Sequence, residues 1–148
     1  MKRRILLVDD DLAVLLTLKA VLEFHGFEVE TAGSSAEAFA RIESGVYQMV
    51  ISDLRMETEE AGLEVIRAAR RQTYDPATAL LTAYPPSTEH RRRGTRVEPE
   101  RVEPEEDWTG ENSQSLLIKP IGTGDLLRQV EALLIRQADK QVRRRNSA

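Results

Sequence analysis

The chain has 148 residues, 41% of them hydrophobic and 31% charged, with a formal net charge of −4. That is enough apolar material for one domain with a real core, and the acidic balance argues against a surface built to wrap nucleic acid. With no cysteine, disulfides, thiolate metal sites and cysteine nucleophiles are all excluded.

The opening MKRRILLVDDD has four apolar residues before its aspartates, too few for a signal peptide, and no apolar run reaches membrane-spanning length. The expectation is a cytoplasmic protein with no membrane and no direct nucleic-acid partner. In chain order, RILLV (4–8) predicts a first strand and LAVLLTLKAVLEFH (12–25) a helix, with Asp11 as N-cap and Gly26 as its stop. FEVETA (27–32) predicts the second strand. SSAEAFARIESG (34–45) follows as a helix capped by Ser34 or Ser35. YQMVIS (47–52) is the third strand, and GLEVIRAARRQ (62–72) a helix with Leu63, Val65, Ile66 and Ala69 on its inner side. TALLT (78–82) and SLLIK (115–119) are the last two strands. A final helix starts near Gly124–Asp125, with Leu126, Leu127, Val130, Leu133 and Leu134 as its buried stripe. The first and third strands are nearly continuous apolar runs, as when both faces of a sheet are covered. Strand and helix alternate, which implies a parallel sheet with helices on both sides.

The fourth connection departs from that rhythm. Between Thr82 and Lys119 lie 36 residues, more than one crossover helix needs, and within them RVEPE (96–100) is followed directly by RVEPE (101–105). Rich in Glu, Pro and Arg, this duplication has a composition that resists packing and predicts a solvated insertion that proteases cut first, with Trp108 as an anchor or partner contact. Past about Arg136 the apolar stripe is lost, and the tail with its Arg143–Arg145 run is expected to fray as a solvated segment.

In an open parallel sheet, ligands bind outside the carboxyl ends of the strands. Strand 1 ends in Asp9, Asp10 and Asp11, strand 3 in Asp53, strand 4 in Thr82 and strand 5 in Lys119. Each has a plain reading: Asp11 as a helix cap, Asp9 and Asp10 as loop carboxylates, Thr82 as a strand residue, Lys119 as an ion-pair donor. Together they suit a hard cation and phosphate. Clustered carboxylates hold Mg²⁺, an aspartate can accept a phosphoryl group, and an ammonium and a hydroxyl can bind its oxygens.

Through ILLVDDD, MVISDLRM, LLTAY and LLIKP the chain resembles the receiver domain of two-component response regulators of the chemotaxis-regulator kind, over residues 4 to about 135. The resemblance implies an α/β fold, a doubly wound, flavodoxin-like five-stranded parallel sheet of order 2-1-3-4-5 with a long insertion between strands 4 and 5. It implies a receiver over 1–138, the insertion at about 85–114, and a basic C-terminal tail at 139–148. Asp53 falls where the family accepts phosphate from a histidine kinase or histidine phosphotransfer protein. Asp9 and Asp10 match the acidic pair that organises Mg²⁺, and Arg55 the position offering its backbone carbonyl to the metal. Thr82 and Lys119 match the residues that bind phosphoryl oxygens, and Pro120 the proline preceded by a cis bond. Three departures stand out. Glu57 replaces a proline and Gly62 comes one residue late. Leu116 replaces an aromatic that swings on activation. The usual output face gives way to the insertion, so Tyr84 is expected to pass movement of Thr82 into residues 85–115.

The expected function is therefore a stand-alone receiver, phosphorylated at Asp53 with Mg²⁺ and signalling to an unknown downstream protein by contact. It would catalyse no reaction beyond its own phosphorylation and dephosphorylation. One alternative is a degenerate receiver that serves as a binding module. Another is a small aspartyl-phosphate phosphatase of the haloacid-dehalogenase type, whose DxDxT pattern is met here only by DDDLA.

Overall fold

The structure, a computed structural model, describes residues 2–82, 115–119 and 121–146. The insertion between strands 4 and 5, with Tyr84 and Trp108, and Pro120 lie outside the described residues.

Five strands form one parallel sheet in the order β2-β1-β3-β4-β5. They are β1 (Arg4–Val8), β2 (Glu28–Ala32), β3 (Met49–Asp53), β4 (Ala77–Thr82) and β5 (Ser115–Ile118). The helices among the described residues are α1 (Leu12–Phe24), α2 (Ser35–Ser44), α3 (Ala61–Arg70) and α4 (Thr123–Asn146). The expected doubly wound sheet and its order are thus present.

Alternation along the strands sorts the core into two layers. Ile5, Leu7, Met49, Ile51, Ala79, Leu81 and Leu117 face α1 and α4, meeting Leu15, Leu18, Leu22, Val130 and Leu133. Leu6, Val8, Val50 and Leu80 face the other way, toward Ile42 of α2 and Val65, Ile66 and Ala69 of α3. Strands packed on both faces read as unbroken apolar runs, which is why β1 and β3 were legible.

Local chemistry sets the element ends. Asp11 caps α1 by accepting from the Ala13 N–H at 3.0 Å. At the other end Gly26, at φ +94°, lets the chain turn so that Phe27 N–H donates to Leu22 O at 3.1 Å. Phe27 spends its N–H on that cap, so β2 starts at Glu28 rather than at 27. β3 begins two residues later than the expected 47 and includes Asp53, which pairs with Leu81. The third helix is offset toward the N-terminus, from Ala61 to Arg70.

The larger difference lies at the C-terminus. The tail expected to fray past Arg136 continues α4 without a break to Asn146. Polar contacts replace the missing apolar stripe. Gln137 and Gln141 both donate to the Asp75 carbonyl, at 3.1 and 2.9 Å, and Arg144 pairs with the Asp75 carboxylate at 2.6 Å. Asp75 sits at φ +49°, a left-handed conformation that turns the loop before β4. No helix among the described residues is long and apolar enough to cross a membrane.

Candidate functional site

The strand order reverses between β1 and β3, and the carboxyl ends of these two neighbours carry the acidic residues. Asp9, Asp10 and Asp53 each place a carboxylate oxygen within 4.8 Å of the others. Asp9 is 1% exposed and Asp53 8%, so two of the three charges stand in a nearly dry pocket. Lys119 follows edge strand β5, and its N–H donates to Thr82 O at 2.9 Å, which fixes it beside β4. From there its ammonium reaches Asp9 Oδ2 at 2.8 Å and Asp53 Oδ1 at 3.5 Å. Thr82 closes β4 on the same rim and is 3% exposed.

Burial pushes the Asp53 carboxyl up to about 6, and the neighbouring Asp9 charge adds to the rise while Lys119 opposes it. For Lys119, burial pulls the ammonium down, but its close contact with Asp9 and the charge of Asp53 outweigh it and hold it above its ordinary value. One ammonium thus faces two carboxylates, with Asp10 beside them on the exposed side of the cluster. Asp9 Oδ1 accepts from the Asp11 N–H at 2.9 Å. Asp9 Oδ2 is buried, with the Lys119 ammonium as its electrostatic partner but no well-aligned hydrogen bond. A buried anionic oxygen in this state, with the Asp10 and Asp53 carboxylates close by, fits a hard cation that takes carboxylate ligands.

Asp11 is turned away from this cluster and serves its own helix as N-cap, accepting from Ala13 and Val14. A phosphatase of the DxDxT type would need that second aspartate at the reaction centre. Arg55 lies two residues beyond Asp53 in the loop to α3, on the same side of the sheet as the other strand ends.

Two features of this loop were not readable as contacts from the sequence. Gly62 packs flush against the end of β3: a Cβ there would lie 2.0 Å from Asp53 O and 2.6 Å from Leu54 Cα. Glu57, noticed in the sequence only as a departure, accepts from the Ser35 N–H at 2.9 Å and the Ser35 hydroxyl at 3.2 Å. Its own backbone N–H and that of Ser35 hold its carboxyl below the usual range.

A doubly wound 2-1-3-4-5 sheet with an acidic pocket and a lysine on its carboxyl rim defines a signalling receiver. The chain belongs to the response regulator receiver domain family, which its residues 5–96 match, and so to two-component signal transduction. Among its relatives is the transcriptional regulatory protein PrrA of Mycobacterium tuberculosis, 30% identical over 90% of this chain and 51% of PrrA. The alginate biosynthesis transcriptional regulatory protein AlgB of Pseudomonas putida is 38% identical over 55% of this chain and 18% of AlgB. The chain spans about half or less of the length of these curated relatives. A CheY-like response regulator receiver domain protein from Methanospirillum hungatei superposes with a TM-score of 0.72 at 26% identity, covering 95% of this chain and 99% of the other. The response regulator TrrA of Thermotoga maritima, solved in complex with Mg²⁺ and BeF, gives 0.66 at 29% identity, covering 88% and 98%.

Proposed function

We propose that the domain accepts a phosphoryl group on Asp53 from the phosphohistidine of a histidine kinase or histidine phosphotransfer protein in the cytoplasm. It then signals to a downstream protein by contact. The observation that carries this reading is the convergence of Asp9, Asp10 and Asp53 within 4.8 Å, with Lys119 at 2.8 Å from Asp9 and 3.5 Å from Asp53.

An Asp53 carboxylate oxygen forms the new bond to phosphorus, the P–N bond of the phosphohistidine breaks, and its electron pair leaves with the imidazole. Asp9, Asp10, Asp53 and the Arg55 backbone carbonyl are the residues that would hold Mg²⁺. When bound, Mg²⁺ supplies positive charge against the negative charge spread over the phosphoryl oxygens. Lys119 stands where its ammonium can contact one of those oxygens once Asp53 is modified, and the Thr82 hydroxyl can serve another. Burial of Asp53 excludes water from the acyl phosphate and strengthens each of these contacts.

A small acyl-phosphate donor with Mg²⁺ should add one phosphoryl mass to the intact protein, and Asp53→Asn should remove that addition. Modification that persists in Asp53→Asn would place the acceptor elsewhere, and none in the wild type would favour a receiver used purely for binding. Lys119→Ala should keep metal binding but lose the phosphorylation-dependent change in the amide spectrum, because the ammonium serves phosphoryl oxygens rather than the cation.

A further inference from the structure

We propose that Glu57 is a positioning residue: it clamps the loop between β3 and α3 onto the first turn of α2 and thereby sets where the Arg55 carbonyl stands relative to the carboxylates. This rests on the metal reading given above.

The loop is fixed firmly at both ends. Leu54 N–H donates to Leu81 O at 2.9 Å, Gly62 N–H donates to Leu54 O at 2.9 Å, and the bare Cα of Gly62 lies against the Asp53 carbonyl. Its middle, 55–60, carries the proposed metal-binding carbonyl and one residue more than the family pattern. Within it, Met56 N–H donates to Thr58 O at 3.1 Å and Ala61 N–H to Thr58 O at 3.4 Å, bonds that shape the turn into α3, while the Met56 side chain packs against the α2–α3 layer. Glu57 adds a polar tie to the start of α2, through the Ser35 N–H and hydroxyl.

Ser35 is the first residue of α2, and an N–H in the first turn has no acceptor inside its own helix. A carboxylate there gains a charge-assisted hydrogen bond and the favourable end of the helix dipole. The first turn is already served from within: Ser34 accepts from Glu37 N–H at 3.2 Å, and Glu37 accepts from Gly33 N–H at 2.8 Å. Glu57 therefore adds something other than a routine cap. It joins residues 22 positions apart, one of them in the loop that follows Asp53, four residues past it. Where a family member with proline would stiffen the loop through its backbone, this chain braces it from outside.

Coupling of this kind is reciprocal. If Glu57 holds the Arg55 carbonyl in place for a cation, a bound cation must in turn steady the Glu57–Ser35 contact. The test uses the full chain, titrated with Mg²⁺ and followed by amide chemical shifts, together with the hydrogen-exchange rate of the Ser35 amide with and without Mg²⁺. In the wild type, Mg²⁺ should slow exchange at Ser35. Glu57→Ala should raise the Kd for Mg²⁺ by about threefold to tenfold and abolish that slowing. Glu57→Gln, which keeps an acceptor oxygen without the charge, should fall between and carries the comparison if Glu57→Ala folds poorly. Unchanged Mg²⁺ affinity in Glu57→Ala, with faster exchange at Ser35, would reduce Glu57 to a cap and overturn the proposal. If the wild type itself takes up no Mg²⁺, the metal reading fails first. The clamp is then judged on the metal-free proteins, where equal Ser35 exchange in wild type and Glu57→Ala overturns the contact itself.

Discussion

Asp53 bears a cost of ionisation, from burial and the nearby Asp9 charge, that Lys119 offsets in part. Its folded value, about 6, lies above the ordinary 3.8, so the folded state holds this proton more tightly than the unfolded chain. Stability from this group is therefore complete below about pH 4 and is lost as pH rises through about 6. Asp53→Asn removes the penalty. In urea denaturation it should be more stable than the metal-free wild type by about 1–3 kcal/mol at pH 7, and the gap should close toward pH 4. Mg²⁺ should narrow the gap at pH 7 by stabilising only the wild type. Gly62 makes the opposite demand, since it tolerates no side chain. Gly62→Ala should cost about 1–3 kcal/mol, because the new carbon meets backbone rather than a side chain that can turn aside, and phosphorylation of Asp53 should slow with it. Asp11 was legible as a cap because an aspartate before a periodic apolar run has a local reason to be there. Gly62 and Glu57 were not, since their partners Asp53 and Ser35 are distant in sequence and only the folded loop brings them together.

The final helix shows where reading by apolar periodicity stops. Its buried stripe, Leu126, Val130, Leu133 and Leu134, was plain, with Leu127 partly covered. Beyond Arg136 the pattern gives out, yet the helix persists because Gln137 and Gln141, one turn apart, share the Asp75 carbonyl. Hydropathy is blind to two amides meeting one acceptor. Gln137→Ala with Gln141→Ala should therefore raise amide exchange over residues 137–146 at least tenfold, while exchange in α1 and β1 stays as in the wild type. Asp75→Gly keeps both the carbonyl and the left-handed turn, so it should loosen the same segment far less while losing the Arg144 pair.

Across the molecule, the architecture was readable and the allocation of its parts was not. Two-sided burial and the rim of strand-end residues follow from apolar runs punctuated by acids and a lysine, whereas the sheet order came from the resemblance to receiver domains. Which residues would touch depended on β5 lying at the sheet edge, from which Lys119 reaches across to Asp9 as well as Asp53. The route by which the state of Asp53 leaves the rim has one described constraint. Leu116 lies partly buried against the α2–α3 layer and has no ring to swing. Any readout through β5 must therefore use displacement of the strand itself or of Thr82 beside it.

The placement of Lys119 also bears on how the chain comes into being. Its two acidic partners, Asp9 just after β1 and Asp53 at the end of β3, come early in the sequence, whereas the ammonium arrives with the last strand, after residues 83–114 have been spanned. Closing a span of that length defers the β4–β5 pairing relative to contacts between near neighbours. Until it closes, the acidic residues lack the cation that steadies them and the group proposed to bind the transferred phosphate. The proposed phosphoryl chemistry thus depends on β5 closing against β4, because the carboxylates alone are half of its machinery.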